Sequence, residues 1–168
     1  NKEMVFKFND LKSKGSFLAL RIEGDKISIE EKIKALTDEL GLNKLNSSIL
    51  DLYQSVPFWK KINNLELFKI TKNNLLRVVI PPSKGITLMQ YLSNKYKYYV
   101  DWCGSLYWIE IQSKKSSKVR EIKNIIKELE GYLTIIKTSD EYDYEEAIFT
   151  VDSTRLLISE KIKKSFDP

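Results

Sequence analysis

The sequence predicts an α+β domain, a mainly antiparallel sheet with helices packed on one face. Three observations predict it. Short runs alternate apolar and polar residues at the period of two that a pleated strand imposes, and other runs carry apolar residues at helical spacing. The two kinds of run alternate along the chain, the pattern of a layered sheet-and-helix architecture. No internal repeat and no low-complexity linker divides the 168 residues, so the length points to one compact domain or at most two small ones.

Each element has a local reason. Residues 17–22 read as a strand, with Leu18, Leu20 and Ile22 on one face and Gly24-Asp25 ending it. Ser28 opens a helix, since Ser28 and Glu31 have capping-box spacing. Ile29, Ile33, Leu36 and Leu40 form its apolar stripe, and Gly41 is placed to stop it. Residues 48–52 fit a short strand or a helix equally. Pro57 suits the first turn of a short helix over 58–63. Residues 75–80 form a strand that is apolar on both faces except for Arg77, ended by Pro81-Pro82, which cannot donate to a ladder. Residues 87–94 read as a helix with Ile86, Met89 and Leu92 or Tyr91 inward.

Residues 98–102 and 106–111 read as a hairpin turning at Cys103-Gly104, where glycine tolerates positive φ. Residues 118–130 are the clearest helix, with Val119, Ile122, Ile125, Ile126 and Leu129 on one face and Gly131 as its cap. Residues 132–137 form a strand, and 138–146 an acidic, tyrosine-bearing loop. Asp152 caps a last helix in which Ile158, Ile162 and Phe166 align at spacing four. A strand–helix–strand pair repeated twice gives a ferredoxin-like arrangement, duplicated or elaborated.

Composition removes much chemistry. The chain has no histidine, so the commonest general base and any histidine-activated nucleophile are absent. Cys103 is the only cysteine, which excludes an internal disulfide and the usual zinc sites and fits a reducing compartment. The six glycines are scattered, and no phosphate-cradling loop is visible. No run of apolar residues spans a membrane, and no signal peptide is visible; the start at Asn1 reads as that of a fragment or a processed chain. The net charge of +5 comes from lysines spread over helical faces that also carry glutamate, a solvated surface rather than a nucleic-acid footprint.

Two features stand out as site candidates. Asp101, Trp102, Trp108 and their tyrosine neighbours crowd one tight turn, either as an aromatic core or as a face for a planar ligand. Arg77 is the lone charge of an apolar strand, either an exposed sheet arginine or a bidentate clamp for a carboxylate. The carboxylates Asp140, Glu141, Asp143, Glu145 and Glu146 lack the spacing of a calcium loop. Phe58-Trp59 is read as core packing of an amphipathic helix.

Several stretches, in shared order, resemble the C-terminal half of the FAD-binding subunit of glycolate oxidase, in the vanillyl-alcohol-oxidase-like flavoprotein family. They are Phe17-Leu18-Ala19-Leu20-Arg21-Ile22-Glu23-Gly24, Phe58-Trp59-Lys60-Lys61-Ile62, and Leu76-Arg77-Val78-Val79-Ile80-Pro81-Pro82-Ser83. They continue with the hairpin Val100-Asp101-Trp102-Cys103-Gly104-Ser105-Leu106-Tyr107-Trp108 and with the last helix ending in Phe166-Asp167-Pro168. The family's hairpin usually has glycine where Cys103 stands, and Tyr132 replaces a family histidine. The resemblance implies a single cap domain over 1–168 that covers a flavin held by a preceding domain. It implies oxidation of glycolate or a related 2-hydroxy acid to the 2-oxo acid, with FAD as electron acceptor. It implies that Arg77 holds the substrate carboxylate, Trp102 and Trp108 line the flavin-side pocket, Asp101 fixes the hairpin, and Tyr132 takes a polar role. The implied partners are a homologous FAD-containing subunit and an iron–sulfur subunit. The implied setting is the cytoplasm, with membrane association through that complex, and no nucleic-acid role. The isolated chain is expected to be inactive. The alternatives are a stand-alone ferredoxin-like ligand- or RNA-binding module and a non-catalytic assembly domain.

Overall fold

A computed structural model describes residues 3–5, 18–39, 41, 48–66, 68, 73–112, 116–139, 150 and 153–167. It is an α+β protein that divides into two compact units, residues 1–67 and 68–168.

In the first unit, β1 (Glu3–Val5) pairs antiparallel with β2 (Ser48–Leu50), and two helices, α1 (Lys26–Glu39) and α2 (Leu52–Asn63), accompany them. Residues 18–22 are not a strand. Alternation alone does not make one, because a strand exists only where a partner accepts its backbone hydrogen bonds, and none pairs with it among the described residues. The start of α1 also differs from the expected Ser28. Asp25 caps it: its Oδ1 accepts from the Ser28 N–H at 3.0 Å, and that bond holds the carboxyl below the usual carboxylate range. Ile29 is buried, while Ile33 and Leu36 are half-buried; Leu40 lies outside the described residues.

The ambiguous 48–52 segment resolves into both alternatives: β2 ends at Leu50 and α2 starts at Leu52. Asp51 accepts from the Gln54 N–H at 2.9 Å, and its own N–H donates to Gln54 Oε1 at 3.3 Å, a reciprocal capping box. This cap starts the helix early and places Pro57 inside it rather than at its first turn. The missing proline N–H then costs one bond, to the carbonyl of Tyr53, in an exposed turn.

The second unit is built on a four-stranded antiparallel sheet. Its strands are β3 (Asn74–Val79), β4 (Lys97–Asp101), β5 (Leu106–Ile111) and β6 (Tyr132–Lys137), in spatial order β4-β5-β3-β6. Helix α3 (Gly85–Leu92) joins β3 to β4, a tight turn joins β4 to β5, and α4 (Ser116–Glu128) joins β5 to β6. Helix α5 (Ser153–Phe166) follows.

Register fixes what each face carries. Leu76 lies opposite Ile109 and Ile135, and Val78 opposite Tyr107 and Leu133. These residues form one core with Ile80, Ile111, Leu88 and Leu92 of α3, and Val119, Ile122 and Ile126 of α4, with Leu129 just after it. Both helices therefore cover the same face of the sheet. Sequence spacing gives the phase of α4 correctly and that of α3 only in part, since Leu92 lies inward as expected. Ile86 and Met89 are exposed, and Leu88 and Leu92 point inward. Helix α3 begins earlier than residue 87 because Pro82–Lys84 forms a 3-10 turn that leads into Gly85.

Glycine at 131 is required by space, not by backbone angle. The positive φ at the end of α4 falls on Glu130, at 58°. A β-carbon on Gly131 would press on Ile80 and lie 2.8 Å from the Val79 carbonyl oxygen. The approach lets β6 start directly beside β3. Gly131→Ala should destabilise the protein by about 1–3 kcal/mol through overpacking. Urea unfolding checks this: the midpoint should fall with the slope unchanged.

Candidate functional site on the sheet face opposite α3 and α4

The strand positions between the core residues point to the face that α3 and α4 leave uncovered. Three cross-strand rows result. Tyr99, Trp108, Arg77 and Thr134 form the middle row, reading from β4 to β6. Asp101, Leu106, Val79 and Tyr132 form the row beside the β4–β5 turn. Lys97, Glu110, Leu75 and Lys137 form the row at the other end, where a register shift between Leu75 and Leu76 interrupts the ladder with β6. Arg77, Trp108, Asp101 and Tyr132 thus share one face. Period-two alternation puts Arg77 and Trp108 on this face, and the β3–β5 register sets them side by side.

Trp102 joins them from the turn. Its ring centroid lies 5.6 Å from the Arg77 guanidinium carbon, a cation–π contact that covers part of the guanidinium. Among the described residues no carboxylate pairs with Arg77, which is half-buried. The ion therefore keeps hydrogen-bond donors for an external acceptor, and an aromatic ring beside it favours a planar one.

The turn that carries Trp102 is strained. Trp102 and Cys103 both have positive φ, 50° and 51°, followed by Gly104 at 91°. Only glycine adopts this region without cost, so the two side-chain-bearing residues add roughly 1–3 kcal/mol each. Four interactions hold the turn. Asp101 Oδ1 accepts from the Trp102 N–H at 2.7 Å. The Ser105 N–H donates to the Trp102 carbonyl at 3.1 Å, and the Ile80 N–H donates to the Ser105 carbonyl at 2.9 Å. Gly85 backs the turn so closely that a β-carbon there would lie 2.9 Å from the Gly104 carbonyl oxygen. The buried Tyr107 hydroxyl donates to the Gly85 carbonyl at 2.9 Å, tying α3 to β5 beneath the turn.

Asp101 does more than end β4. Its carboxylate also hydrogen-bonds the Tyr99 side chain, and burial together with that negative charge pushes the Tyr99 phenol well above its usual range. Tyr99 therefore stays neutral at any physiological pH. Cys103 is exposed at the tip of the turn.

The row at the far end is structural. Glu110 is nearly buried and is held by the Asn73 amide at 2.7 Å and by Lys97 at 3.9 Å. A cleft of roughly 690 Å³ opens near this end, lined by Lys95, Lys97, Lys118, Glu110 and Glu121 among others. Its charges are engaged with one another: Lys118 pairs with Glu121, which also accepts from the Tyr91 hydroxyl. The cleft does not include the arginine–tryptophan pair.

Sequence reasoning took in Tyr99 only as one of the tyrosines of the aromatic hairpin and missed Thr134 and Arg155; register sets Tyr99 and Thr134 in the row of Trp108 and Arg77. Arg155 of α5 sits over the Tyr132 ring, its guanidinium carbon 4.8 Å from the centroid. The acidic residues 140–146 and Asp152 lie outside the described residues. Among the described residues no helix is long and apolar enough to cross a membrane. No family model matches the chain, and no curated protein or solved structure matches it.

The buried Tyr107 hydroxyl generates a pH dependence. Burial pushes its phenol up to about 12, from an ordinary value of 10.0. The neutral phenol donates in the folded state, so its contribution is complete below pH 10 and is lost as pH rises through the folded value. The melting temperature should therefore drop between about pH 10 and 12. Tyr107→Phe should lower stability at neutral pH and flatten the alkaline decline, which differential scanning calorimetry across that range would show.

Proposed function

We propose that the sheet face opposite α3 and α4 binds the carboxylate of a 2-hydroxy acid, and that the chain is the cap over the substrate side of a flavin in a glycolate-oxidase-type enzyme. The observation that carries this reading is Arg77, a half-buried arginine without a described carboxylate partner, set between Trp108 and Thr134 and covered by Trp102. The strand order β4-β5-β3-β6 with α3 and α4 on one face supports the ferredoxin-like assignment.

The face suits a planar ring rather than a phosphate. Trp102 is 58% exposed, a large apolar ring offered to something beyond the strands. No glycine-rich loop cradles a pyrophosphate. FAD fits this face as a ring to be covered, with its phosphates held elsewhere. When bound, it supplies the acceptor for the hydride leaving the hydroxyl-bearing carbon.

The chain's own residues have narrower tasks. Arg77 takes the carboxylate by two parallel hydrogen bonds and so fixes the position of the neighbouring carbon. Trp102 and Trp108 exclude water on two sides, which strengthens the ion pair. Asp101 holds Trp102 in place and hydrogen-bonds Tyr99. Tyr132 lines the same face. In this reading the homologous flavin-containing subunit and the iron–sulfur subunit complete a cytoplasmic assembly.

Losing the guanidinium removes a charge-assisted pair of about 1.5–3 kcal/mol. Arg77→Ala in the assembled flavoenzyme should therefore raise KM for glycolate by roughly tenfold or more. Steady-state kinetics measure it, and unchanged kinetics would remove Arg77 from the site.

One observation favours a second reading, single-stranded RNA binding. Tyr99 and Trp108 are half-buried cross-strand neighbours on the sheet face opposite α3 and α4, a pair of rings of the kind on which bases stack. RNA affinity that falls steeply with salt would favour this reading over the flavoprotein one.

A further inference from the structure

We infer that the outer edge of β4, with the flank of α3 above it, is a dimer interface, and that its occupant is a second copy of this chain. The dimer is independent of what the Arg77 face binds.

β4 is an edge strand. It pairs with β5 on one side, and among the described residues no strand pairs with its other side. Alternate residues of such an edge aim N–H and C=O groups outward, ready for another strand. Proline or a bulge commonly blunts an edge against that pairing. β4 has no proline, and its register with β5 runs unbroken from Lys97 to Asp101.

The strand is self-complementary. It reads Lys97-Tyr98-Tyr99-Val100-Asp101. Set antiparallel to a copy about a two-fold axis at Tyr99, it places Lys97 opposite the copy's Asp101 at both ends, and Tyr98 opposite the copy's Val100. Lys97 and Asp101 keep their partners within the chain. Asp101 is nevertheless exposed, and the Lys97 side chain is 52% exposed. Opposite charges at this rim set register more than strength.

The helix above the edge carries a second, independent sign. The Tyr91 hydroxyl donates to Glu121 of α4, so that flank of α3 faces α4. Helical spacing puts Ile86, Met89 and Ser93 on the opposite flank. Ser93 Oγ lies 3.5 Å from the Tyr98 hydroxyl of β4, so this flank runs along the β4 edge. Ile86 there is 72% exposed and Met89 39%. A two-fold axis normal to the sheet keeps the helices of both copies on one side, so the two flanks face each other across the seam. Each copy then covers apolar side chains that the other leaves in water. Two four-stranded sheets become one of eight strands. A five-residue ladder with two helix flanks is a small interface, so the dimer is reversible and depends on concentration.

Sedimentation equilibrium of the 168-residue chain from about 10 μM to about 1 mM tests this. The mass should rise from that of the monomer toward twice it. Ile86→Glu changes an exposed position and sets two like charges beside the seam. It should keep the far-UV circular dichroism of wild type and weaken the dimer roughly tenfold or more. Air oxidation in a Cys103→Ser background reads the register. Tyr99→Cys should cross-link two copies, because opposed residues bring their β-carbons about 4.5–5.5 Å apart. Lys97→Cys should not, since four residues of strand, roughly 13 Å, separate it from its counterpart. A mass that stays monomeric throughout overturns the proposal. So does a folded Ile86→Glu chain that dimerises like wild type, or a folded Tyr99→Cys chain that cross-links no better than Lys97→Cys.

Discussion

The central strand β3 is the constraint on which the second unit depends. It is hydrogen-bonded on both sides, to β5 and β6, so its register fixes the register of the whole sheet. Its side chains alternate between two environments. Leu76, Val78 and Ile80 enter the core under α3 and α4, which leaves Arg77 no direction but the opposite face. A slip of one residue would bury the guanidinium and expose three aliphatic side chains, so the hydrophobic core enforces the position of the charge. The same alternation in β5 sets Trp108 beside it.

Strain and packing meet at the β4–β5 turn. Two side-chain-bearing residues in left-handed backbone are tolerated there because the surrounding structure over-determines them. Asp101 anchors one end, the Ile80–Ser105 bond anchors the other, and Gly85 permits α3 to sit directly behind. Tyr107 links these parts from within the core. The result is an exposed indole held over a guanidinium by backbone geometry, a more rigid arrangement than side-chain rotamers alone would give. Core and site are therefore one construction: the Gly85–Tyr107 contact belongs to both.

Helix α5 has a different character. Leu156, Leu157, Ile158, Ile162 and Phe166 are all exposed, so its helical periodicity is real but its apolar side chains are not buried within the described residues. Its described attachment to the sheet runs through Arg155 on Tyr132 and through Thr150 on Leu133.

The sequence by itself determined the class of fold, four of the six strands among the described residues to within a residue or so, the buried stripe of α4, and the presence of a lone arginine among aliphatic residues. These follow from local periodicity, which the chain carries in its own residues. Asp25 and Asp51 displaced the expected helix starts because capping depends on which of several nearby polar side chains reaches the free N–H groups, a matter of geometry. Residues 18–22 failed as a strand because pairing needs a partner, and α3 turned Ile86 outward because the close approach of Gly85 to the β4–β5 turn accompanies a different helix phase. Only the tertiary structure decided that Arg77, Trp102, Trp108, Asp101 and Tyr132 share one face, and that Tyr99, Thr134 and Arg155 join them. Those residues are far apart along the chain. Cross-strand register, which no local pattern specifies, brings them together.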